Sequence, residues 1–155
     1  MKNTTALVVG AGIVGLAVAR ALAVRGCKVT VLERHERAVG ASIRNFGMVW
    51  PIGVPNGPLY ERALRSRQIW QELIDVAGLW HDPSGSLHVA HADDEWAVLQ
   101  QYAAANAPLR PCRLLDRDAA LAKSPALVAR ELRGALFNAD ELVVDPRQAI
   151  RALPD

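Results

Sequence analysis

The 155-residue chain is poor in the residues that build metal and redox centres. Its two cysteines, Cys27 and Cys112, stand alone, without the CxxC spacing of a zinc or dithiol site. Cys27 opens an apolar segment and reads as packing, and Cys112 carries no signal of its own. The four histidines, His35, His81, His88 and His91, form no HExxH pattern. His88 and His91 lie in a stretch that reads as strand, which sends side chains three apart to opposite faces, so no metal is expected. Charge of one sign is also lacking: 18 Lys and Arg face 16 Asp and Glu, a net +2, with no basic run. Nucleic acid is therefore not an expected partner. No apolar run approaches the ~20 residues of a transmembrane helix. MKNTTALVVG passes straight into an apolar strand and leaves no room for a signal peptide, so a cytoplasmic location is expected. Repeats and low-complexity segments are absent.

What is present begins at 51% hydrophobic residues, enough for a globular core. Residues 6–34, ALVVGAGIVGLAVARALAVRGCKVTVLER, read as strand, glycine turn, helix, strand and acidic residue. Ala6 to Val9 suit a parallel strand covered on both faces. Gly10, Gly12 and Gly15 have the GxGxxG spacing: the first allows the tight turn, the second close approach to a pyrophosphate, the third close helix packing. The helix start at Ile13 and Val14 would offer free N–H groups and a positive dipole end to an anion. Gly26 is placed to stop the helix in the left-handed region. Cys27 to Leu32 supply the second strand. Glu33 follows, eighteen residues after Gly15, where a carboxylate accepts hydrogen bonds from a ribose diol.

Residues 33–50, ERHERAVGASIRNFGMVW, resemble the D-amino-acid oxidase superfamily of flavoproteins, which includes glycine oxidase, sarcosine oxidase and D-amino-acid dehydrogenases. The resemblance implies an α/β fold: a Rossmann-like FAD-binding βαβ unit interrupted by an α+β substrate domain, both incomplete in this chain. It places Arg34 near the adenine, a small-residue loop of Gly40, Ala41 and Ser42 beside the pyrophosphate, and Asn45, Phe46, Gly47 and Met48 beside the flavin ring. FAD is the implied cofactor, held without a covalent bond because the loop has no attachment histidine or cysteine. Arg44 is a candidate phosphate or substrate contact. SIRNFGMVWPIG is most similar to a branch associated with aminophosphonate breakdown.

Further along, Gly57–Pro58 is an N-cap and first helical position for a helix over 58–77, closed by Gly78. Tyr60, Ala63, Leu64, Arg67, Trp70, Leu73, Ile74 and Ala77 form its apolar stripe. A turn at Asp82–Gly85 leads into a strand through Ala92, and Asp93 is placed to cap a helix to about Ala105. A short helix follows Asp116 and stops by Ser124–Pro125. Residues 134–144 read as strand, turn at 138–140 and return, and Asp145–Pro146 opens a last helix. In the resembled family such a VDP phrase marks the crossing back to the FAD domain. The expected division is an FAD-binding segment over 1–78, the first part of a substrate domain over 79–143 and the return from 144 to 155, an N-terminal portion of a longer protein.

The function expected from the resemblance is oxidation of the C–N bond of a small amine or amino acid, by hydride transfer to FAD and hydrolysis of the imine. Two rivals stand beside it. One is a non-catalytic nucleotide-binding fragment or subunit completed by a partner. The other is an NAD-linked dehydrogenase, which leaves the loop at 40–50 unexplained; Glu33 would repel the extra phosphate of NADP. Substrate identity, electron acceptor and oligomeric state stay open.

Overall fold

The structure, a computed structural model, describes residues 4–154. Residues 1–3, on which the expected leaderless start partly rests, and Asp155 lie outside the described residues. In chain order the elements are β1 (Thr5–Val9), α1 (Ile13–Val24), β2 (Lys28–Leu32), β3 (Met48–Val49), α2 (Pro58–Ala77), β4 (His81–Asp82), β5 (Ser86–Ala90), α3 (Asp93–Asn106), β6 (Cys112–Asp116), α4 (Arg117–Lys123), β7 (Gly134–Asn138), β8 (Leu142–Val144) and α5 (Pro146–Ala152). Short 3-10 turns occupy Ala41–Ile43 and Pro51–Gly53. This mixed α/β order is the fold class expected from the sequence.

The elements gather into two compact units. The first holds the chain up to Met48, Arg65–His81 and the residues from Val143 on; the second holds Val49–Leu64 and Asp82–Leu142. β3, β8 and β4 make a three-stranded sheet in the order β3-β8-β4, and the chain passes from one unit to the other within these strands.

In the first unit β1 and β2 pair in parallel, Thr5 opposite Lys28 and Val9 opposite Leu32. α1 lies on the Val8 side, so close that a Cβ at Gly15 would strike the Gly10 carbonyl. Gly26, at φ +84°, ends α1 in the left-handed region that glycine alone adopts without strain. Leu16, Ala38 and Ile150 form the core, with Ile13, Ile43 and Leu153 packed around them. The other face of β1 departs from the expected two-sided cover: Leu7 is 61% and Val9 81% exposed. Among the described residues β1 pairs only with β2, and α1 covers only the face that carries Val8.

The second unit is built on an antiparallel sheet with β7 between β5 and β6. Because alternate residues face opposite sides, Ala135 and Phe137 meet Leu115 and Ala120 on one face. Leu136 meets Cys112, Ile52 and Ala103 on the other. All five β7 residues are buried, as suits a central strand.

α2 has the bounds the sequence predicts, and Tyr60 and Ile74 of its stripe are 8% and 3% exposed. Two expectations need correction, and three strands were not foreseen. Residues 134–144 do not form a hairpin: β7 pairs with β5 and β6, whereas β8 joins β3 and β4. The connection at 138–140 is shaped instead by Asn138, whose side chain engages Glu141 and the Asp140 N–H. The cap of α3 is Ala92 rather than Asp93. Glu95, one turn in, accepts the N–H groups of both Ala92 and His91, which satisfies the helix entry from inside. Finally, β6 and the two-residue strands β3 and β4 have no alternating pattern that marks them in the sequence.

Candidate functional site

The glycine turn, the end of β2 and residues 38–44 enclose a cleft of about 520 Å³ in the first unit. Gly10 makes the turn at φ +103°, and its N–H donates to Leu32 O at 2.6 Å, which extends the β1–β2 ladder into the loop. Gly12 is the N-cap of α1 and brings no side chain of its own to this end. A Cβ at Gly12 would lie 3.1 Å from Ser42 Oγ, so any larger residue would push into the opening. Ser42 Oγ accepts the Ile13 N–H at 3.0 Å. The hydroxyl therefore ties the loop at 40–44 to the first helical amide and leaves the neighbouring first-turn amides for an anion.

Glu33 closes the other end. Its Oε2 accepts the Ala11 N–H at 2.9 Å and its Oε1 the His35 N–H at 3.2 Å. These bonds, Ala11 first, hold the carboxyl below its ordinary value against a small opposing effect of desolvation. An ionised carboxylate has about four acceptor directions, so lone pairs remain for a diol. The cleft thus offers backbone donors at one end and an anionic acceptor at the other, the arrangement required by a nucleotide with phosphate and ribose.

Of the residues expected at this site, Gly10, Gly12, Glu33, Arg34, Ala41, Ser42 and Arg44 line the cleft. Ile13 reaches it through its N–H, and Val14 and Gly15 form the first turn of α1. Asn45, Phe46, Gly47 and Met48 lie outside it. Asn45 shapes its own loop, donating from Nδ2 to Ser42 O and accepting the Gly47 N–H, both at 2.7 Å. Gly47 (φ +70°) accepts the Val144 N–H at 2.9 Å, and a Cβ there would collide with the Val144 carbonyl. Phe46 beside it is 85% exposed. Sequence reasoning missed Val9, Leu32, His35, Ala38 and Val39, which also line the cleft. Their signal is positional: residues at the carboxyl ends of parallel strands face the ligand crevice.

A family model described as FAD dependent oxidoreductase, DAO, matches residues 5–154. The chain belongs to this family. FAD is the family's cofactor, and the cleft fits its adenosine-diphosphate half, since a side chain at Gly12 or Gly15 would crowd Ser42 or the Gly10 carbonyl where the chain approaches the pyrophosphate site. Among curated relatives, the tRNA 5-methylaminomethyl-2-thiouridine biosynthesis bifunctional protein of Burkholderia ambifaria is 35% identical over 76% of this chain and 19% of its own length. The protein of the same name from Chromobacterium violaceum is 34% identical over 99% of this chain and 24% of its own. Glycine oxidase from Bacillus cereus superposes with a TM-score of 0.81 at 26% identity, over 98% of this chain and 42% of that one. L-proline dehydrogenase from P. horikoshii gives 0.81 at 27%, over 97% and 40%. The chain thus spans about a fifth of the curated relatives' length and about two fifths of the solved structures'. No helix among the described residues is long and apolar enough to cross a membrane.

The second unit of this DAO family member holds polar groups that sequence reasoning also missed. Arg110, 4% exposed, donates to Ile52 O, Val54 O, Asn56 Oδ1 and the Tyr102 hydroxyl, and stacks 4.1 Å above the Tyr60 ring. Burial, foremost, raises the Tyr60 and Tyr102 hydroxyls and the Cys112 thiol above their ordinary values, with the Arg110 charge opposing. Glu141, 3% exposed, accepts the Ile52 N–H at 3.0 Å and the Ser86 hydroxyl proton. Two buried side chains, Arg110 and Glu141, thus both grip the 50–56 loop.

Proposed function

We propose that the whole protein is an FAD-dependent oxidoreductase that oxidises the C–N bond of a small amine or amino acid, with an aminophosphonate among the candidates. The observation that carries this is the nucleotide cleft in a chain matched to the family over residues 5–154. The choice of amine is supported by glycine oxidase and L-proline dehydrogenase, whose names specify nitrogen-bearing substrates. Residues 1–78 and 144–155 would serve FAD and 79–143 the substrate, in the cytoplasm.

Gly10, Gly12 and Gly15 would let the backbone meet the pyrophosphate, with the Val14 amide at the start of α1, while the Ile13 amide is held by Ser42. Glu33 would accept from the ribose hydroxyls and Arg34 would lie by the adenine. Arg44 would reach a phosphate from the loop that Ala41 and Ser42 shape. Asn45, Phe46, Gly47 and Met48 would border the flavin, held without a covalent bond. When bound, FAD supplies the hydride acceptor. The protein's share is to orient the substrate, receive a neutral amine and release an imine that hydrolyses in water.

The visible spectrum of the 155-residue chain after addition of FAD and removal of the excess tests this reading. Retained flavin bands, bleached anaerobically by an amine, are the expected result. A colourless folded chain would favour a subunit that needs a partner to complete its site. A second substrate class is supported by the relatives named for tRNA 5-methylaminomethyl-2-thiouridine biosynthesis, since that name also contains an aminomethyl group. Bleaching by tRNA but not by free amines would select it and set aside the expectation of no nucleic-acid partner.

A further inference from the structure

Within the first unit, the Asn45 side chain ties together the two ends of the loop that follows the nucleotide cleft. Its Nδ2 donates to Ser42 O at 2.7 Å, and its Oδ1 accepts the Gly47 N–H at 2.7 Å. The amide has one way round, because a carbonyl accepts and a backbone N–H donates: nitrogen faces Ser42 and oxygen faces Gly47. Both residues are anchored elsewhere in this unit. Ser42 Oγ accepts the Ile13 N–H at 3.0 Å. Gly47 O accepts the Val144 N–H at 2.9 Å, and at φ +70° Gly47 has no space for a Cβ against the Val144 carbonyl. Ile43, between them, packs on the core of Leu16, Ala38 and Ile150. Hydrogen bonds therefore run from the first amide of α1 through Ser42, Asn45 and Gly47 to Val144.

The 3-10 turn Ala41–Ile43 is too short to hold this loop alone. It closes with the Arg44 N–H on Ala41 O and leaves the Ser42 carbonyl to Asn45. Asn is a common turn former through a bond to the N–H two residues on, which accounts for the Gly47 contact. It does not account for the Ser42 contact: Asp would serve Gly47 equally, but only an amide can also donate to Ser42 O. Asn45 is exposed, so burial does not demand an amide there either. We infer that Asn45 is a positioning residue for the cofactor. It sets residues 42–47 before FAD arrives and keeps the Ser42 hydroxyl on the Ile13 amide, without itself touching the flavin. The inference rests on the reading that this cleft holds FAD. Ser42 lines the cleft, and with its oxygen engaged by Ile13 it still has its own proton to give to a phosphate. Without the Asn45 clasp the loop populates other shapes, and a ligand that needs this one binds more weakly by the fraction of time the shape is absent.

The test uses the whole protein stripped of FAD, with ADP as a probe that carries the pyrophosphate and no flavin. N45A should bind ADP and FAD more weakly by the same factor, about tenfold, as expected for two lost hydrogen bonds. In stopped flow the loss should lie in the association rate, with FAD leaving as it leaves the parent. Hydrogen exchange at the Ile13 amide of the nucleotide-free protein should quicken in N45A while the β1 amides keep their protection, which separates a loosened loop from an unfolded chain. In an S42A background the same change should cost ADP little further, because Asn45 acts through Ser42. N45D keeps the acceptor for Gly47 and loses the donor to Ser42, and should bind no better than N45A. Weaker FAD with unchanged ADP would make Asn45 a flavin contact, and parental binding by N45D would make it a turn former alone. Either result overturns the inference, as does an unchanged Ile13 amide or full additivity with S42A, and each leaves FAD as the cofactor. A parent that binds neither ADP nor FAD discards the cofactor reading and this inference with it.

Discussion

Glu33 serves two partners at once, because the same carboxylate that would hold a ribose also accepts the Ala11 and His35 N–H groups. Those two donors lower its pKa, so it stays ionised at pH values where an exposed glutamate is half protonated. The sign follows: a depressed carboxylate favours the loop and the nucleotide above its ordinary titration range and loses that effect as pH falls through the lowered value. FAD retention should therefore persist below the usual glutamate range and fail at more acid pH. E33Q should retain FAD about tenfold to a hundredfold more weakly than the parent wherever Glu33 is ionised, as expected for loss of a charged acceptor, with the difference closing at the acid pH where the parent fails; equilibrium dialysis measures both. Arg44 allows a test of a different kind, since it lines the same cleft as Gly12 and Glu33. R44M should weaken FAD binding about tenfold, with a lower salt dependence, if the guanidinium meets a phosphate. Unchanged FAD affinity with weaker substrate binding would assign it to the substrate instead.

Among the elements, the 50–56 loop shows most clearly what the sequence reveals and what it withholds. The helix after it was legible to the residue, because Gly57 and Pro58 carry local backbone rules and the stripe of α2 repeats at helical steps. The cofactor turn was legible for the same reason: each glycine answers a steric demand within its own neighbourhood. Arg110 and Glu141 were not, because a charged residue reads as surface until tertiary structure surrounds it. β6 was hidden similarly, since its burial pattern does not alternate. The Arg110 grip predicts the loop's energetics. R110M would take the Arg110 donors from Val54 O and Asn56 Oδ1 and leave Ile52 O with the Tyr102 hydroxyl alone, a loss of about 3 kcal/mol in urea unfolding. R110K should recover part of it, having charge but no planar fork. Alkali acts on the same cluster. Burial raises Tyr60 and Tyr102 above the usual 10.0, so their neutral forms favour the fold below pH 10 and that stability is lost as pH rises through the raised values. Phenolate absorbance should accordingly appear together with unfolding rather than before it.

For the molecule as a whole, the decisive fact is apolar surface beside the nucleotide cleft. Val9 is 81% exposed, Leu32 50% and Val39 46%, and all three line the cleft. A valine or leucine gains roughly 1.5–3 kcal/mol when fully buried, so a flat ring laid across these strand ends would stabilise the chain as well as bind to it. Leu7, 61% exposed, lies outside the cleft and would gain nothing from the nucleotide. The 155-residue chain should thus bind a hydrophobic dye such as ANS, and saturating FAD should remove part of that signal while raising the melting temperature. The part that FAD leaves would report Leu7 and its neighbours. G12V separates the two contributions: its side chain would press on Ser42 and close the pyrophosphate cradle, yet leave Val9, Leu32 and Val39 in place. It should bind the dye as the parent does and show neither response to FAD. An equal loss of dye signal in G12V would mean that FAD covers apolar surface somewhere other than this cleft.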